Sequence, residues 1–393
     1  MNSHFEVIVV GLGAMGSAAA YQLAKRGRRV LGLDRFSPPH ALGSSHGDSR
    51  IIRQAIGEGV HYTPLALRAY ELWREIEAQS GEELLTCTGG LIISSGARQA
   101  TTHVPHFFDN TLAAARRFGI RHELLDARQI RKRFPQFKVR DDEVGYYEYD
   151  AGYLRPERCV SAQLSLAAKC GATLHRDERV VRFSQANDGI RVLTDCGQYE
   201  ARHLVLCAGP WIGEFLAKER SRLFTVTRQA LFWFDVNSPL EGFEPPAFPI
   251  FIWELQDRPQ VIYGFPAIDG PRGGVKVATE QYENATTGDC VDRDISLEEV
   301  RRMHESFVAP YLPALSNRCV KAMACLYTVT PDFHFVVDSH PDLPNVIIAS
   351  PCSGHGFKHS AALGEALAEL VIDGRSKIDV SAFAMTRFKG GST

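Results

Sequence analysis

Hydrophobic and polar positions alternate along this chain in two textures. The first is βα-like. Phe5-Glu6-Val7-Ile8-Val9-Val10 is an apolar run that predicts a buried strand. A glycine-rich turn follows, then an Ala-rich stretch from Ser17 to Lys25 with helical character, then a second apolar run, Arg29-Val30-Leu31-Gly32-Leu33, that stops at Asp34. Residues 61–79 predict a helix whose apolar face is Leu65, Leu67, Leu72, Trp73 and Ile76, with Pro64 near its start. Cys87 to Ser95 reads as strand and 107–119 as a helix ended by Gly119. Residues 156–170 read as helix, followed by strands at 172–183 and 189–194 and a buried strand from His203 to the turn at Ala208-Gly209.

From about 225 to 282 the texture changes. The runs Leu231-Phe232-Trp233-Phe234, Ile250-Phe251-Ile252-Trp253 and Val261-Ile262-Tyr263 predict antiparallel strands. Leu297 to Val308 is a helix candidate. The pattern then returns to strand (345–349), Ser/Gly turn and helix (His359 to Ile372). The expected fold class is α/β. A doubly wound nucleotide-binding domain (1–85, 150–222 and 323–393) is interrupted by an antiparallel-sheet substrate domain (86–149 and 223–322). Phe232, Trp233, Phe251 and Trp253 read first as core side chains, and second as the border of a larger pocket.

Composition narrows the function classes. At 393 residues, 45% hydrophobic and 23% charged, the chain resembles a soluble globular protein with two cores. A net charge of −2 gives no electrostatic argument for nucleic acid or a membrane surface. No apolar stretch approaches the roughly 20 residues of a membrane helix. The opening strand has no basic segment ahead of an apolar one, so no signal peptide is expected. The nine cysteines form no C-x-x-C pair or His/Cys cluster, which argues against zinc and a disulfide framework and favours a reducing cytoplasm.

The opening turn carries chemistry. Gly11-Leu12-Gly13-Ala14-Met15-Gly16 is G-x-G-x-x-G in strand–turn–helix–strand context, and Asp34 follows Gly16 by eighteen residues. Gly11 permits the tight turn, Gly13 admits a pyrophosphate to the backbone and Gly16 lets helix and strand pack closely. The pyrophosphate would sit on the helix N-terminus, with Asp34 accepting from a ribose diol. The motif alone fits NAD, NADP or FAD, and Arg35 leaves a 2′-phosphate open.

Four other segments bear on that choice. They are Gly43-Ser44-Ser45-His46-Gly47-Asp48-Ser49-Arg50-Ile51-Ile52-Arg53, Tyr263-Gly264-Phe265-Pro266 leading to Lys276, Ala324-Cys325-Leu326-Tyr327-Thr328, and Ser353-Gly354-His355-Gly356-Phe357-Lys358. In order and spacing, with the N-terminal motif, they resemble the monomeric sarcosine oxidase and N-methyltryptophan oxidase family of flavin amine oxidases, from about residue 5 to 390.

The resemblance implies the following roles. Cys325 carries FAD through a thioether to the isoalloxazine 8-methyl carbon. Arg53 and Lys358 hold a substrate carboxylate, and Lys276 promotes the reaction with O2. Tyr263 and Tyr327 line the substrate cavity, while His46 and Arg50 lie close to the flavin. The cofactor is held by Gly11, Gly13, Ala14, Met15, Gly16, Asp34, Arg35, Ser45, His46, Arg50, Val180, Ala208, Gly209, Cys325, Gly354, Gly356, Phe357 and Lys358. No metal is implied.

Two departures stand out. Sarcosine-preferring members carry paired histidines where this chain has Ser45-His46, and a histidine where it has Glu280. The expectation is an FAD-dependent oxidase of a secondary amino acid, acting as a monomer with O2 as co-substrate and hydrogen peroxide as product. The alternatives are a flavin dehydrogenase with another acceptor, an NAD-dependent amino-acid dehydrogenase and a non-catalytic nucleotide-binding regulator.

Overall fold

The computed structural model describes residues 4–95, 104–237, 239–256 and 258–388. Residues 1–3, 96–103 and 389–393, which the expected domain ranges include, lie outside the described residues. The first sheet has a parallel core in the order Thr173–His175, Val30–Leu33, His4–Val10, Gln198–Leu206, Leu343–Ser350. Its register sets Val7 beside Val30, Val9 beside Val205, and Leu206 beside Ile348. These strands are apolar at successive positions because both faces are covered. Val7 and Val9 join one core with Ala19, Leu23, Leu363 and Leu367 from the helices Ala14–Lys25 and Ser360–Asp373. Ile8, Val10, Leu31 and Leu206 point into a second core on the opposite face.

The helix Ala14–Lys25 is buried on nearly every side, so its small residues have a steric reason. A Cβ on Gly16 would lie 1.6 Å from the Gly11 carbonyl oxygen. A Cβ on Gly364 would lie 2.4 Å from that of Ala18, where the first and last long helices cross. Gly11 itself has φ +85°, open to glycine at little cost.

The second sheet is organised by the long strand Thr225–Val236. It pairs antiparallel with Val275–Thr279 on one side and with Leu315–Val329 on the other. The order continues through Val261–Phe265, Ile250–Glu254, Gly90–Ser95, Glu143–Glu148 and His122–Asp126. The aromatic runs are strands as expected, although Ile250–Glu254 runs parallel to Gly90–Ser95. Phe232, Phe251 and Trp253 are core residues, and Trp233 packs with Leu231 and Cys325. A three-stranded sheet of Arg50–Ile52, Gly152–Leu154 and Leu85–Cys87 lies beside these two.

Two boundaries differ from the expectation. The strand Leu315–Val329 belongs entirely to the second sheet, so the expected division at 322/323 falls inside it, and Cys325 faces the cleft from that sheet. The helix expected over 297–308 changes winding after Met303 and finishes as a π turn over His304–Val308.

The tightest contact of the fold gives a direct prediction. Gly16→Ala forces apart the turn and the helix that the Gly11 carbonyl touches. It should destabilise the protein by about 1–3 kcal/mol or more in urea unfolding; a change within experimental error would show that the turn relaxes freely.

Candidate active site

A long cleft runs between the two sheets and encloses about 2010 Å³ counting its mouth. At one end lie Gly11, Gly13, Ala14 and Met15, with Asp34, Arg35, Val180, Ala208 and Gly209. Gly13 has no side chain to cap the helix, and the first turn carries no acid. The Ala14 N–H donates to Ser45 Oγ at 3.0 Å. A Cβ on Gly13 would meet only that hydroxyl, so the turn is open toward the cleft. Asp34 accepts from the Leu12 N–H at 2.6 Å and the Phe36 N–H at 2.9 Å. Its carboxylate therefore fastens the turn to the second strand while still facing the cleft, with lone pairs remaining for a diol.

A latch from the other sheet closes this end. Trp211 Nε1 donates to Asp289 Oδ1 at 2.8 Å, and Arg35 Nη2 meets the same oxygen at 3.1 Å. Arg293 donates to the carbonyls of Ala41 and Leu42 at 3.1 and 2.8 Å. Arg35 is thus tied to a carboxylate and stacked on Trp211, which disfavours its use as a free binder of a 2′-phosphate.

The middle of the cleft is positively charged. Arg50 Nη2 donates to Cys325 Sγ at 3.3 Å and to the Ser44 carbonyl at 3.0 Å. Burial pushes the Cys325 thiol up, but the charges of His46 and Arg50 outweigh it and bring its pKa down to about 6. A thiol lowered in this way ionises more readily than a free cysteine. His46 is not part of the cleft lining; it is buried, with its imidazole against Cys325. Gly16 also lies behind the lining, packed on the turn.

Lys276 faces the cleft from the strand Val275–Thr279, where pairing to Trp233 and Phe265 fixes its register. Its Nζ donates to the carbonyls of Gly47 at 2.8 Å and Ser49 at 3.0 Å. It sits 4.7 Å from the Phe265 ring centroid and 5.1 Å from that of Trp233. Burial, then the charge of Arg50, pushes its pKa well below the ordinary lysine range.

At the far end Arg53 and Lys358 share a buried partner. Arg53 Nη2 pairs with Glu58 Oε2, and Lys358 Nζ lies 3.6 Å from Glu58 Oε1. Arg53 also donates to the Ala55 carbonyl and covers the Phe107 ring; Lys358 donates to the His355 carbonyl at 2.7 Å. The three side chains are at most 6% exposed, so their charges are weakly screened. Burial lowers the pKa of Lys358 while Glu58 opposes the fall, leaving it at about 8. Tyr263 Oη and Tyr327 Oη are 3.4 Å apart; burial pushes Tyr263 up to about 12 and holds Tyr327 well above the ordinary phenol range. The turn of Gly354, Gly356 and Phe357 lines the same cavity.

Sequence reasoning misses Glu58, although it stands between the two cations that the motifs single out. Its only signal is an acid five residues after Arg53. Ser49, Phe107 and His355 also line the cleft, with no role assigned to them from sequence.

This geometry belongs to a known class. Residues 6–370 match the FAD dependent oxidoreductase family, abbreviated DAO, and the chain belongs to that family. Within it the chain is similar to monomeric sarcosine oxidase of Streptomyces avermitilis, 42% identical over 384 residues (98% of this chain, 97% of the relative). It is also similar to N-methyl-L-tryptophan oxidase of Yersinia pestis, 34% identical over 386 residues (98% and 100%). Among solved structures, NikD, an unusual amino acid oxidase, superposes with a TM-score of 0.82 at 24% identity, over 97% of each chain, which shows the shared fold.

The residues present fit FAD. The glycine-led helix turn, open toward the cleft, suits a pyrophosphate and Asp34 a ribose, and the cleft runs without interruption from there to Cys325 and Lys276.

Lys358 supplies a pH test. Its folded-state pKa is depressed to about 8, so it is charged below that pH and neutral above it. The dissociation constant of an inert carboxylate, measured by calorimetry on the holoenzyme, should rise as pH passes through about 8. Lys358→Met should flatten the profile; the same inflection in the variant would assign it to another group.

Proposed function

We propose that this FAD-dependent oxidoreductase oxidises a secondary amino acid, an N-methyl or cyclic imino acid, to an imine, with O2 as electron acceptor and hydrogen peroxide as product. The observation that carries the reading is the pair Arg53 and Lys358, two buried cations on one carboxylate at the end of the same cleft that holds Cys325 and Lys276. An anionic substrate group can replace or join Glu58 there. The guanidinium binds a carboxylate bidentately and the ammonium adds a point charge.

When bound, FAD supplies the acceptor for a hydride equivalent from the carbon beside nitrogen and the site where O2 is reduced. The protein supplies orientation and field. Arg53 and Lys358 fix the carboxylate, and so the position of the amine and its neighbouring carbon. Arg50 and Arg53 disfavour an ammonium nearby, so the amine binds in the neutral form that has a lone pair to release. Tyr263 and Tyr327 keep their protons and shape the wall; they do not serve as bases at neutral pH. Lys276 has a low proton affinity as the structure stands. Negative charge delivered into the cleft raises that affinity, so Lys276 brings both a proton and a positive charge to the place where O2 is reduced. Cys325, its thiol pKa lowered by His46 and Arg50, is the tether for the isoalloxazine. We also read the protein as a monomer of a reducing compartment.

Three measurements check this division of labour. Lys276→Met should leave anaerobic reduction by substrate largely intact and slow reoxidation by O2 by orders of magnitude; equal loss in both half-reactions would remove Lys276 from the oxygen step. Arg53→Ala should raise the substrate dissociation constant by an amount equal to about 1.5–3 kcal/mol of charge-assisted hydrogen bonding, with a smaller effect on the limiting reduction rate. Acid precipitation should give a yellow pellet from the wild type and a colourless one from Cys325→Ser; colour in the variant pellet would place the tether elsewhere.

A further inference from the structure

Beyond the carboxylate clamp, the cleft meets a second cavity of about 2000 Å³ counting its mouth, and the two share Val261 and Glu280 in their walls. Glu280 follows the strand that carries Lys276 and is half-buried. Aromatic rings surround this boundary. Tyr327 lies on the reaction side, while Tyr282 and Phe333 line the second cavity. Arg258, Arg302, Glu283 and Glu299 also line that cavity, with Glu299 paired to Arg228, but Glu280 is the charged group shared with the cleft. The Tyr282 ring centroid is 6.2 Å from that of Tyr327 and 5.0 Å from that of Phe333. The Tyr282 hydroxyl and the Tyr327 ring both approach Gly354, where an added Cβ would meet each at 3.1 Å. The charge of Glu280 is felt at Tyr327, at Tyr282 and at Lys358 of the clamp.

A carboxylate among aromatic faces favours a cation, because ring faces and acid attract positive charge together. An acidic substrate side chain would meet like charge there. A substrate without a side chain would gain nothing from either group.

Resting on the reading given above, we propose that Glu280 is a specificity-determining residue. It selects secondary amino acids whose side chain enters the second cavity and carries a positive charge. Arg53 and Lys358 hold the α-carboxylate at one point, and Glu280 with Tyr282 holds the side-chain cation at a second, on the far side of Tyr327.

Calorimetry on the holoenzyme with hexanoate and 6-aminohexanoate tests this without turnover. Both carry the carboxylate and neither is a secondary amine. The ammonium compound should bind about tenfold more tightly, as one partly desolvated cation contact allows. Glu280→Gln should bring the ratio to about one, and Glu280→Lys should invert it. Equal affinities in the wild type, or a ratio that neither substitution changes, would overturn the assignment. Turnover of Nα-methyl-L-lysine against Nα-methyl-L-norleucine should show the same preference in kcat/KM, lost in Glu280→Gln; an equal fall for both substrates would also overturn it. If the calorimetric ratio behaves as expected but no secondary amino acid reduces the enzyme, Glu280 stands as a cation-selecting residue and the oxidase reading falls.

Discussion

Burying positive charge is the constraint around which this molecule is built. Arg53, Lys276 and Lys358 are almost wholly withdrawn from water, with Arg50 beside them. An unpaired charge in such a setting costs several kcal/mol. The fold meets that cost with groups that can also be exchanged. Glu58 serves Arg53 and Lys358. The carbonyls of Gly47 and Ser49 serve Lys276, and the sulfur of Cys325 serves Arg50. Each is an arrangement that a bound anion or electron-rich group can improve. The same constraint accounts for the shifted pKa values: a lowered thiol, a lowered ammonium at the clamp and a strongly lowered one at Lys276.

The two sheets divide this work. The nucleotide sheet supplies the helix N-terminus, Asp34 and the turn before the last long helix, which carries Lys358. The second sheet supplies Cys325, Lys276, Tyr263 and Tyr327 from its antiparallel strands. Cys325 and Lys276 are thus positioned by a rigid ladder. The segment Gly43–Arg53 crosses between the sheets. It is anchored by Glu157, which accepts from the N–H groups of Gly47 and Asp48, and by the Lys321–Asp48 ion pair. That anchoring holds Arg50 against Cys325 across 275 residues of sequence.

Much of this architecture is legible in the amino-acid sequence. The opening βαβ unit is local: about thirty residues contain its turn, its helix and its acid, so spacing alone defines it. The helices with a one-sided apolar stripe and the aromatic strands are equally plain. The strand Leu315–Val329 is not, because its first half, Ser316-Asn317-Arg318, is polar and largely exposed and carries no alternation. His122–Asp126 hides in the same way, as an edge strand rich in charge. At the site, residues carried by a motif stand out, whereas Glu58 does not, since its meaning lies in Lys358, far along the chain. Sequence order also cannot tell a residue that faces the cleft, such as Arg50, from one behind its lining, such as His46.

The central claim is that buried cations select a carboxylate-bearing secondary amine and present it for oxidation. Anaerobic titration of the purified holoenzyme with an N-methyl amino acid and with the matching amine that lacks the carboxylate tests it most directly. Bleaching of the yellow absorption by the amino acid, with little or none by the simple amine at equal concentration, is the predicted result. Equal bleaching by both would contradict it, because the clamp would then contribute nothing to the selection of substrate.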